Sequence, residues 1–114
     1  MTRILCDFDG RLPRDLTARL SFVARALELR VAYYRIDKTR HGFHVIVECG
    51  ARLSPVEIVL TQTLLGSDWK RETFNARRVR LLKQYPRFWG KRWNVLYGTH
   101  TRNVALTRKT AACA

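Results

Sequence analysis

Two short runs, Val31–Asp37 (VAYYRID) and Phe43–Cys49 (FHVIVEC), are rich in β-branched and aromatic residues and flank a polar link, Lys38-Thr39-Arg40-His41-Gly42. That combination predicts a β-hairpin. It commits the chain to an antiparallel sheet whose two faces are set by strict alternation. Thr2–Phe8 predicts a further strand, with Ile4, Cys6 and Phe8 on one side and Leu5, Asp7 and Asp9 on the other. Gly10 and Pro13 break the chain after it.

Helical spacing governs the stretches between. Leu16, Leu20, Val23 and Leu27 recur on one face from Asp15 to about Leu29. Ser54-Pro55-Val56-Glu57 combines a capping box with proline at the first helical position. Val56, Val59, Leu60 and Leu64 are the expected buried stripe of that helix, and Gly66 ends it. A further helix is expected from Ser67 or Asp68, with Phe74, Arg78, Leu81 and Tyr85 on one stripe and Lys70, Arg77, Arg80 and Lys83 on another sector. Pro86 stops it, and Trp93–Tyr97 (WNVLY) predicts a last strand.

This order predicts an α+β chain of the ferredoxin-like (RRM-like) βαββαβ class, with an open antiparallel sheet and a two-helix second crossover. Residues 1–98 are expected to form one domain and 99–114 a flexible basic tail. Ile4, Cys6, Phe8, Tyr34, Ile36, Phe43, Val45 and Val47 should point to the core. Leu5, Asp7, Asp9, Tyr33, Arg35, His44 and Ile46 should share the open face.

Charge narrows the function. The chain of 114 residues carries a formal net charge of +13. Residues 1–72 hold 12 basic and 9 acidic side chains, a net of +3, whereas residues 73–114 hold 10 basic side chains and no acid. A one-signed segment of this kind suits a phosphate-binding surface. No apolar run approaches the ~18 residues of a membrane span, and the N-terminus has no signal-peptide pattern. Cys6, Cys49 and Cys113 have neither disulfide nor zinc spacing, and His41, His44 and Cys49 are grouped too loosely for zinc. A cytoplasmic, reducing setting follows as the expectation.

Basic and aromatic residues interleave, which is what stacking on bases beside phosphates requires. Tyr33-Tyr34-Arg35 and Arg40-His41-Gly42-Phe43-His44 do so on the hairpin, and Pro86-Arg87-Phe88-Trp89-Gly90-Lys91-Arg92-Trp93 does so most densely. Arg35, Arg40, Arg77, Arg78, Arg80, Lys83, Arg87, Lys91 and Arg92 are the expected phosphate contacts. Tyr33, Phe88, Trp89 and Trp93 are the expected stacking rings. The expected function is non-enzymatic, sequence-tolerant binding of single-stranded DNA, with RNA as another substrate class and no cofactor. A domain presenting three tryptophans is also a candidate homodimer.

Ile4-Leu5-Cys6-Asp7-Phe8-Asp9 resembles the hydrophobic-Asp-x-Asp motif of the archaeo-eukaryotic primase and primase-polymerase superfamily. Arg40-His41-Gly42-Phe43-His44-Val45-Ile46-Val47 resembles its second motif, a small-residue turn leading into a strand histidine. The resemblance implies an RRM-like core and a metal-dependent nucleotidyl-transfer or nuclease alternative using Asp7, Asp9 and His44. The superfamily's third acidic residue has no counterpart, since no acid follows Glu72. The motifs cover about twenty residues and favour a non-catalytic relative. Gly66–Arg78 (GSDWKRETFNARR) is also similar to small uncharacterised proteins of phage and archaeal viruses, which implies a replication or viral context. A basic RNA-binding structural protein is a third reading.

Overall fold

Alternation along three strands decides where the core lies. The structure, a computed structural model, describes residues 2–96 and the backbone of 100–103 and 108–109. Strands β1 (Thr2–Asp9), β2 (Val31–Thr39) and β3 (Gly42–Cys49) form an open antiparallel sheet in the order β1-β3-β2. Ile4, Cys6, Phe8, Tyr34, Ile36, Val45 and Val47 are buried on one face, as expected, and Phe43 is half-buried at its margin. A register shift between Val31 and Tyr33 turns Val31 inward as well. Each fully buried aliphatic side chain there contributes roughly 1.5–3 kcal/mol.

Helix α1 (Leu16–Ala26) lays Leu16, Leu20, Val23 and Ala24 on this face. The chain leaves it through Glu28 and Arg30, both in the left-handed region at φ 53° and 54°, which plants Leu29 in the core between them. The hairpin turn is shorter than its polar link suggests, because Lys38 and Thr39 continue β2 and Gly42 opens β3. Gly42 is obligatory for a steric reason. A Cβ there would overlap the Phe8 carbonyl oxygen of the neighbouring strand.

Helix α2 (Pro55–Leu65) begins with the expected capping box, Ser54 Oγ accepting from the Glu57 N–H and Glu57 accepting from the Ser54 N–H. Gly66 closes it at φ 96°. Helix α3 (Trp69–Gln84) is capped by Asp68, and Pro86 opens a single turn, α4 (Pro86–Trp89). Helix α2 presents a face other than the expected one. α2 buries Thr61, Gln62 and Leu65 and leaves Val56, Leu60 and Leu64 exposed; α3 buries Glu72, Asn75 and Val79 and leaves Phe74 and Tyr85 exposed.

The reason is the free edge of β1. An open strand edge presents N–H and C=O groups that must find partners. The Leu5 N–H donates to Gln62 Oε1 (2.9 Å) and the Asp7 N–H to Ser67 Oγ (2.9 Å). The Leu5 carbonyl accepts from Arg71 Nη1 (2.7 Å), and the Asp7 carbonyl from the Asp68 N–H (2.6 Å). Behind them Glu72, only 3% exposed, accepts from Gln62, Ser67, Arg71 and Asn75. Polar side chains face inward because they complete a strand edge.

The expected strand at Trp93–Tyr97 is therefore absent over 93–96. Asn94 and Val95 run beside β1 but bond to Gln62 and Arg71, which stand between the two segments. Tyr97 lies outside the described residues. The expected loose tail from 99 instead contains β4 (His100–Asn103) and β5 (Arg108–Lys109), both antiparallel to β2. Residues 98–99, 104–107 and 110–114, Cys113 among them, lie outside the described residues.

Candidate nucleic-acid interface

The open sheet face carries the wrong charge for a phosphate platform. Alternation places Asp7, Asp9, Asp37 and Glu48 on it, against Arg3 and Arg35. Both arginines are engaged there. Arg3 Nε meets Glu48 Oε1 at 2.6 Å, and Arg35 holds Asp37 Oδ2 through Nε (3.1 Å) and Nη2 (3.0 Å). Tyr33 stands opposite Glu48 and is half-buried. Arg40 is exposed at the hairpin tip, away from the other candidates in the helices.

Asp7, His44 and Asp37 form one row across the three strands, because His44 is in register with both carboxylates. His44 Nε2 lies 3.5 Å from Asp7 Oδ1, and His44 and Asp37 are 2% and 1% exposed. Burial raises the Asp7 carboxyl above its ordinary range, opposed in part by the attraction of His44 and Arg71. Asp9 sits one row further along, exposed and opposite Gly42. The resemblance's metal site does not fit these donors: among the described residues no three His, Cys, Asp or Glu side chains are grouped to hold an ion. Asp37 is the row member that sequence reasoning missed; its signal was the i,i+2 spacing from Arg35 at the end of β2.

The helical side is different. Lys70, Arg77, Arg80, Lys83, Arg87, Lys91 and Arg92 are all exposed along α3, α4 and the turn after it. No carboxylate ion-pairs with any of them among the described residues. Arg77 and Arg80 line a shallow notch of ≈ 220 Å³ with Leu81 and Gln84. Arg78 is half-buried and donates to Asn75 Oδ1 (3.3 Å), which ties it to the fold.

Aromatic rings share this surface. Trp69, Phe74, Tyr85 and Phe88 are 54–71% exposed, values that a core role would not leave. Phe88 packs edge-on to Trp89 at 5.0 Å and carries the Arg92 guanidinium 4.8 Å above its ring. Lys70 Nζ lies 5.9 Å from the Trp69 ring. Trp89 is half-buried, and Trp93 is a correction: it is buried, so its ring packs inward and offers no face to a base. Trp69, Phe74 and Tyr85 were missed as ring candidates because helical spacing put Phe74 and Tyr85 on one stripe without saying which side it faces.

No protein-family model matches this chain, and no curated protein or solved structure matches it either.

Proposed function

We propose that the chain is a non-enzymatic, sequence-tolerant binder of single-stranded nucleic acid, DNA foremost, working in a replication or viral context. The contact surface is the outer face of α3 and α4. The observation that carries this reading is the coincidence, on one surface where no carboxylate ion-pairs with them among the described residues, of seven exposed cations with four exposed aromatic rings. Phosphates are met by Lys70, Arg77, Arg80, Lys83, Arg87, Lys91 and Arg92, and unstacked bases by Trp69, Phe74, Tyr85 and Phe88. Each stacked base contributes ~1–3 kcal/mol and does so for any base, which accounts for tolerance of sequence. The sheet, expected to share in binding, is left out because its carboxylates repel phosphate. The β1-α1-β2-β3 run supports reading the fold as a ferredoxin-like unit whose last strand pairs with β2 instead of β1.

Fluorescence anisotropy with labelled oligo-dT, duplex DNA and RNA across a salt series tests the reading. Single strands should bind most tightly, with a slope near −0.7 per contacted phosphate. Affinity no better than for heparin ends the proposal. Tighter binding of duplex shifts the contact from ring stacking to the phosphate backbone alone.

A further inference from the structure

Helix α2 carries apolar side chains on its outer side as well as its inner one. Ile58 and Leu65 pack toward the core, yet Val56, Leu60 and Leu64 face outward at 46–60% exposure. An apolar stripe of this kind is ordinarily covered. On the side toward α3 it borders a groove of ≈ 260 Å³ lined by Val56, Val59, Ala76, Val79, Arg80 and Lys83. The floor is four aliphatic side chains, and the only charges among these residues are two cations on the α3 wall.

We infer that this groove docks an acidic amphipathic helix of a partner protein. The aliphatic floor between two helices suits the apolar ridge of a third, set by anchors at i, i+3, i+4 and i+7. Carboxylates flanking that ridge meet Arg80 and Lys83, whose charge is unmatched within the groove. Charge selects among the occupants. A second copy would bring another +13 against the first, and a bilayer offers a flat surface to a concave one. An acidic helix satisfies both the floor and the wall. This groove adjoins the nucleic-acid face and shares Arg80 and Lys83 with it, whereas Lys70 and Arg77 belong to that face alone.

The probe is a labelled helical peptide with leucine at the four anchor positions and glutamate elsewhere, titrated by anisotropy against the full chain. Saturable binding is expected, weakened about tenfold by Val56→Glu and several-fold by Lys83→Glu. Val56 is exposed, so that variant should melt with the parent, which circular dichroism checks. Arg77→Glu should spare the peptide while weakening oligo-dT, so the two surfaces succeed or fail separately. Equal binding of a peptide with serine in place of leucine overturns the inference, because charge alone would then suffice. So does unchanged affinity of Val56→Glu. A concentration-dependent dimer that Val56→Glu dissolves would assign the groove to a second copy. Retention on vesicles of equal phosphatidylcholine and phosphatidylserine, lost in Val56→Glu, would assign it to membrane.

Discussion

Arg35 on the sheet and Arg77 on α3 are the same side chain in two different electrostatic settings. Arg35 is held by a carboxylate two residues away on its own strand, and Asp7 and Glu48 add further carboxylates to the same sheet face. Arg77 stands on a helix face with Lys70 and Arg80 nearby and no acid in the following chain. Both regions mix cations with aromatic rings, so residue type alone ranks them equally. Carboxylate placement separates them. A basic residue becomes a phosphate contact only where the fold has not already supplied its counter-charge.

The largest expected effect comes from cutting the link between the two regions. Glu72→Gln removes the carboxylate that neutralises Arg71 beneath the β1 edge, at 2.6 Å and almost fully buried. Leaving that guanidinium uncompensated should cost about 3–5 kcal/mol in urea unfolding. A loss below about 1 kcal/mol would mean that water reaches Arg71 and the edge is not sealed.

Next comes the contrast itself. The triple change Lys70→Glu, Arg77→Glu and Arg80→Glu should lower affinity for oligo-dT by about a hundredfold or more and reduce the salt slope by roughly two. Arg3→Gln with Tyr33→Ala on the sheet should leave affinity within about twofold. Equal losses from the two sets would erase the distinction between sheet and helices.

A smaller effect belongs to the Asp7 row. Burial holds the folded carboxyl of Asp7 above the ordinary value of 3.8, so the folded chain grips that proton more tightly than the unfolded one. Its contribution to stability is complete below the unfolded value and disappears as pH rises through the folded value. Melting temperature followed from acid upward should therefore fall less in Asp7→Asn than in the parent. Parallel curves would show that His44 and Arg71 cancel the burial.

The smallest is local. Glu28 sits at φ 53°, a conformation that glycine adopts without strain. Glu28→Gly should raise stability by about 0.5–1 kcal/mol by thermal melting, despite the added freedom of the unfolded chain.

Much of this fold was legible before the structure. Period-two alternation placed Ile4, Cys6, Phe8, Tyr34, Ile36, Val45 and Val47 inside, because a strand with one wet face has only two ways to point. The capping box at Ser54 and the stop at Gly66 follow from chemistry confined to a few adjacent residues. What failed was non-local. The period of α2 was correct and its inward face was not, since Gln62 is drawn in by the Leu5 amide of a strand some sixty residues earlier. Trp93–Tyr97 has the composition of a strand, but over 93–96 its partner edge is already occupied by Gln62 and Arg71. For the candidate site, the acid-free segment was readable from counting. Which rings stand in water was not, because helical spacing assigns a stripe without saying which side is dry.

The seal along β1 also bears on solubility. A strand edge covered by another strand is protected along its length by backbone bonds, which no single substitution removes. Here four side-chain or loop donors and acceptors, three of them held in turn by one glutamate, do the same work. Release of Glu72 would bare the edge of a strand of eight residues on an otherwise folded chain. That makes the position a control point for fibre growth: a substitution that loosens the domain would also offer its neighbours a template.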